Sequence, residues 1–151
     1  MKRFAIGVLI LAFFLDSRGV YAQEVRTAII SDLRGAVEVK MHGEDWKPAE
    51  EGMVLHEKDE IRTLQDGFSK LLLDEEAGTG KLELKENSLL RLNTMQIDAA
   101  GEKTTYLDLA LGKVLVHAEK LNADSKFEVR TPTTTTGVRG TVFEVEVEKS
   151  E

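Results

Sequence analysis

The sequence predicts an all-β fold: a compact sandwich or roll, or a solenoid-like stack of the same short strands, with at most one short helix. Three observations carry this. Apolar residues recur at every second position in about ten short runs. Turn residues interrupt those runs roughly every 8 to 12 residues, the spacing of all-β domains. No stretch is long enough to serve as a crossover helix, so a parallel α/β sheet is excluded.

Arg26 to Ile30 is a short candidate strand. In Ala36 to Met41, Val37, Val39 and Met41 alternate with Glu38 and Lys40. His42-Gly43 ends that run, and Asp45-Trp46-Lys47-Pro48 is a turn carrying a large aromatic, followed by Gly52 and the apolar pair Val54-Leu55. Glu60 to Thr63 is a strand, after which Gln65-Asp66-Gly67 supplies the Asp-Gly signal of a tight hairpin. Phe68 to Leu73 is almost continuously apolar, as a strand covered on both faces would be.

Glu75 to Gly80 turns the chain, and Lys81 to Lys85 alternates around Leu82 and Leu84. Leu89 to Ile97 is a further strand, Ala99-Ala100-Gly101-Glu102 its hairpin, and Thr104 to Leu111 the return, with Leu107, Leu109 and Leu111 in one phase. Gly112 opens a new strand through Val114 and Val116. Ala118 to Asp124 is the one helical stretch, at about one to two turns too short to be stable alone. Two more alternating strands flank T-P-T-T-T-T-G-V-R-G, the second placing Phe143, Val145 and Val147 on one face and Glu144, Glu146 and Glu148 on the other.

The N-terminus reads differently. Lys2 and Arg3 precede an apolar run from Phe4 to Leu15, and Val20-Tyr21-Ala22 supplies the small residues of a cleavage site. This is the pattern of a secretory signal peptide over residues 1–22, leaving one domain over 23–151. The run is shorter than the 20 or so residues a spanning helix needs. The expected location is therefore periplasmic or secreted, with no membrane span in the mature chain.

There is no cysteine, which removes disulfides, thiolate metal sites and a cysteine nucleophile together. The formal net charge is -7, and without Lys2, Arg3, Arg18 and Asp16 the remainder is more acidic still. Nucleic-acid binding, which depends on clustered positive charge, is excluded on that ground.

No residue set has catalytic or metal-binding spacing. His42, His56 and His117 do not pair, and Ser69, Ser88 and Ser125 sit in no nucleophile elbow. The tip Asp74-Glu75-Glu76-Ala77-Gly78 lacks the alternating ligands of a calcium loop and reads as a solvated acidic turn. No enzyme activity and no cofactor are expected. The carboxylates of Glu144, Glu146 and Glu148 repel one another, so they face water, resisting strand-to-strand aggregation, or meet a basic partner. Arg139, between Val138 and Gly140, is expected to clamp the connection by satisfying backbone carbonyls or a carboxylate.

The ordered set Gly35-Ala36-Val37-Glu38-Val39, Trp46 with Pro48, Gly52, Leu55, Asp59-Glu60-Ile61-Arg62-Thr63, Leu107 to Val114, Phe127 to Pro132 and Gly137 to Val145 resembles the FecR-type domain of bacterial envelope proteins. Lys58 takes a place where that pattern usually has glycine. The resemblance implies an all-β periplasmic domain without enzymatic activity, which in ferric-citrate-type regulators relays the state of an outer-membrane transporter to a cytoplasmic sigma factor. Here a cleavable signal stands where those regulators have a spanning helix, so this chain is expected not to deliver a signal to the cytoplasm by itself. Thr131, Pro132, Gly137, Arg139, Gly140 and Thr141 are read as fold markers. The expected function is an exported binding domain acting on another envelope protein in signalling or assembly. A structural module associated with peptidoglycan or carbohydrate is the alternative, disfavoured by the scarcity of aromatic residues.

Overall fold

The computed structural model describes residues 24–74, 78–138 and 140–148. The candidate signal segment and Arg139 lie outside them, as do Glu75 and Glu76 of the acidic tip.

Twelve strands follow one another, with no helix among the described residues: β1 (Ala28–Arg34), β2 (Val37–Lys40), β3 (Lys47–Pro48), β4 (Val54–Leu55), β5 (Glu60–Thr63), β6 (Phe68–Leu73), β7 (Gly80–Leu84), β8 (Leu89–Ile97), β9 (Lys103–Ala118), β10 (Lys126–Arg130), β11 (Thr135–Gly137) and β12 (Val142–Val147). They form one curled sheet whose two halves enclose the core. One half runs β4-β1-β6-β7-β9-β12 and the other β3-β2-β5-β8-β9-β10-β11. Strand β9 belongs to both. Its first part pairs with β8 and, in parallel, with β10; its last part, from Gly112 on, pairs with β7 and β12.

The alternation expected from sequence places the core. Val37, Val39, Ile61, Leu71, Leu73, Leu82, Leu84, Leu90, Leu92, Leu107, Leu109, Val114, Val116, Phe127 and Val129 point inward and are buried. Each fully buried side chain of this size contributes about 1.5–3 kcal/mol, more than any exposed ion pair on the surface.

Four readings are corrected. Asp66-Gly67 makes a turn but no hairpin: β5 pairs with β2 and β8, whereas β6 pairs with β1 and β7, so the turn carries the chain from one half of the sheet to the other. Strand β6 is covered on one face only. Ser69, Leu71 and Leu73 point inward, and Phe68, Lys70 and Leu72 lie on the outer face, where Phe68 carries the Arg34 guanidinium 4.4 Å from its centroid. The segments before and after Gly112 are one strand of 16 residues, whose inward phase changes from Leu107 and Leu109 to Val114 and Val116 and leaves Leu111 half-exposed. A β-bulge near Leu111, where the register with β8 slips, accounts for the change. Finally, Ala118 to Asp124 ends β9 and continues as loop and turn, with the Ala118 and Glu119 N–H groups donated to Thr141 O and Thr79 O.

The crossings between halves lie side by side. Leu64 N–H donates to Ala36 O (2.9 Å), Asn87 N–H to Leu64 O (3.2 Å) and Lys85 N–H to Lys113 O (2.9 Å). Thr63 Oγ1 donates to Lys85 O and accepts from Ser88 N–H, while Ser88 Oγ accepts from Lys113 N–H. Close approach requires glycine here: a Cβ on Gly35 would stand 2.2 Å from Asp66 O, and one on Gly112 (φ 85°) 2.3 Å from Ser88 Oγ.

Candidate interaction surface

Among the described residues, four strands end the sheet: β3 and β4 with two residues each, β11 with three, and β12 with six. Only β12 is long enough to pair with several residues of another chain. In an antiparallel pair, successive residues alternate between bonding the partner strand and pointing away from it. Ala118 N–H donates to Thr141 O (3.1 Å), and Lys85 N–H donates to Lys113 O on the other side of β9. Thus the even-numbered residues of β9 face β12, and Phe143, Val145 and Val147 spend their backbone groups on them. The backbone groups of Val142, Glu144 and Glu146 point to the open edge.

The side chains follow the predicted alternation. Phe143, Val145 and Val147 are half-buried and packed against the core, and Glu144, Glu146 and Glu148 are exposed. The acidic row meets a basic group from its own chain. Lys113 Nζ lies 3.3 Å from Glu144 Oε1 and 3.1 Å from Glu146 Oε2, and the hydrogen bonds it donates to Glu146 and Glu144 raise its pKa above the ordinary lysine value. Beside this cluster is a groove of about 760 Å³, whose lining includes Leu111, Gly112, Val147, Lys85, Lys113 and Glu146. Val142, at the start of β12, is 62% exposed.

The other predicted positions fall in the path from β10 to β12. Thr131 Oγ1 accepts from Thr134 N–H (3.0 Å) and Thr131 N–H donates to Thr134 O (2.8 Å), which folds Pro132 into the β10–β11 turn. Gly137 pairs with Glu128, has no unusual φ, and has open space where a Cβ would stand. Gly140 takes φ 60° against Lys120, and Thr141 O receives the Ala118 N–H. The described residues among them carry the chain from β11 in one half to β12 in the other.

Sequence reasoning missed Arg26. It is 4% exposed and donates to Asp74, to the carbonyls of Gln96 and Thr104, and to the hydroxyls of Thr79 and Thr105. Lys103 Nζ also reaches Asp74, at 2.9 Å. Burial pushes the Asp74 pKa up, but the hydrogen bonds from Arg26, Thr79 and Lys103 outweigh it and hold the carboxyl below its ordinary value. Asp74 is therefore an internal anchor, a correction to the solvated acidic tip. Asp59 is likewise 3% exposed and accepts from the backbone N–H of His42 and His56, both at 2.8 Å.

No three His, Cys, Asp or Glu side chains converge on a metal-sized space among the described residues. Trp46 and Tyr106 each carry a guanidinium on a ring face, Arg62 at 4.2 Å and Arg130 at 3.9 Å. Those faces are taken, which weighs against stacking on sugar rings. The two arginines also ion-pair with Glu38 and Glu128 respectively. Among the described residues, no helix is long and apolar enough to cross a membrane.

Residues 59–151, more than half of the sequence, match the family described as FecR protein. The chain belongs to the FecR family. No curated protein and no solved structure matches it. The FecR domain is a regulatory domain, and its family acts in envelope signalling. Strands β1 to β4 precede the matched residues, yet β1 pairs with β6 and β2 with β5, and β4 and β3 pair in turn with β1 and β2 in the same sheet, so the β fold of this chain extends N-terminal to the matched segment.

Proposed function

We propose that this FecR-family protein is an exported, non-enzymatic binding domain of the bacterial envelope that engages a partner protein through the open edge of β12. The single observation that carries the reading is that edge. It is the longest edge strand in the described fold, and the N–H and C=O groups of Val142, Glu144 and Glu146 are directed away from β9. An unpaired row of this kind adds a strand from another chain by β-augmentation. Family membership supplies the setting, and the signal-like residues 1–22 supply the route of export. Thr131, Pro132, Gly137, Arg139, Gly140 and Thr141 then serve the fold, by delivering β12 to its place.

The test is photo-crosslinking in intact cells, with a benzoylphenylalanine at position 142 beside the edge and a control at position 40 on β2. A discrete envelope-protein adduct from position 142 alone is expected. Glu144→Pro removes one outward N–H without touching a β9 hydrogen bond, which an edge strand tolerates. It should abolish the adduct while leaving the melting temperature within a few degrees. An adduct that survives Glu144→Pro, or that forms equally from position 40, would show that the partner is held elsewhere.

A further inference from the structure

The β12 edge is chemically selective as well as open. Glu144, Glu146 and Glu148 line its outer face, and the described structure sets one ammonium, that of Lys113, against the first two. Negative charge is left in excess along the strand. On the opposite face, Phe143, Val145 and Val147 are apolar and only half-buried. A strand added to this edge places alternate side chains beside those two rows, directly opposite their neighbours at about 4.5–5.5 Å between Cβ atoms.

Resting on the reading of β12 as the binding edge, we propose that its partner is an extended segment in which basic residues alternate with apolar ones. Lysine or arginine meets Glu144 and Glu146 on the outer face. Branched or aromatic residues extend the apolar row of Phe143, Val145 and Val147 on the inner face. Charge complementarity selects this occupant over a second copy of the chain. Two β12 edges side by side would set glutamate rows against each other, and like charges directly opposite destabilise a strand pair. The acidic row thus guards the edge against self-pairing while admitting a basic strand.

Binding of three fluorescent ten-residue peptides, alternating Lys/Val, Thr/Val and Glu/Val, is measured by anisotropy on the purified protein at low salt. Lys/Val is expected to bind about fivefold more tightly than Thr/Val, from exposed cross-strand charge pairs of modest strength, and Glu/Val not to bind. Added salt should shrink the Lys/Val advantage. The double substitution Glu144→Gln with Glu146→Gln should bring Lys/Val down to the Thr/Val affinity, and Glu144→Pro should abolish both.

Equal affinities for Lys/Val and Thr/Val would overturn the charge selection and leave the edge reading standing. Lys/Val binding that survives Glu144→Pro, or failure of every peptide to bind, would overturn both. A wild-type dimer in sedimentation that Glu144→Pro dissolves would overturn the exclusion of a second copy.

Discussion

Arg26 and Asp74 show how much one buried guanidinium and a partly buried carboxylate can hold. Arg26 joins the chain's entry into β1 to the end of β6 and to β7, β8 and β9 through five acceptors. Arg26→Met keeps much of the apolar stem but removes every guanidinium donor and leaves Asp74 with Lys103 and the Thr79 hydroxyl. Breaking one side of a fully buried pair costs about 3–5 kcal/mol, and the value here should lie at or below about 3 because Asp74 is only partly buried and keeps both that lysine and the Thr79 hydroxyl; thermal or urea unfolding measures it. The pair also writes a pH signature. The folded Asp74 pKa is below its ordinary value of 3.8, so the folded state binds its proton less readily than the unfolded chain does. Its contribution is complete above the unfolded value and is lost as pH falls through the lower folded one. Unfolding free energy followed from pH 6 to 2 should therefore fall more steeply in the wild type than in Asp74→Asn. None of this was legible in the sequence, because Asp74, Thr79, Gln96, Thr104 and Thr105 lie 48 to 79 residues from Arg26.

Among the strands, β9 is the element that sets the architecture, and Gly112 is where it bends from one half of the sheet into the other. Gly112→Ala would place a methyl 2.3 Å from Ser88 Oγ and 2.5 Å from Asn87 O at a φ of 85°. A loss on the order of 3 kcal/mol is expected from strain and clash together. Gly137→Ala, in the motif that the family resemblance emphasises, should stay within about 0.5 kcal/mol, because its backbone is ordinary and its surroundings open. Denaturation of the two variants side by side checks the ranking. Lys58 carries a related lesson. Its φ of 76° explains why the family pattern prefers glycine there, while its ammonium hydrogen-bonds Asn93. Strand boundaries such as Glu60–Thr63 and Leu89–Ile97 were readable from alternation. The pairing of β5 away from β6 was not, since Asp66-Gly67 specifies a turn without specifying which strands flank one another.

At the scale of the molecule, one core runs from Ala28 to Val138 and β9 passes through both halves of the sheet. The halves should therefore unfold together. The single tryptophan, Trp46, sits against Arg62 on the β3-β2-β5 side, and far-ultraviolet circular dichroism reads every strand. Coincident urea transitions by the two signals are expected; an earlier tryptophan transition would mean that this side opens as a separate unit. The sequence by itself determined the all-β class, most of the inward-facing residues and the acidic row of β12, because alternation along a strand is a local property with a period of two. Only the tertiary structure decided which strands are neighbours, that Asp74 is held by the buried Arg26, and that β12 ends the sheet with Lys113 bridging its glutamates. Those depend on contacts between residues far apart in the chain, which chain closure and core packing select together and which no local pattern encodes.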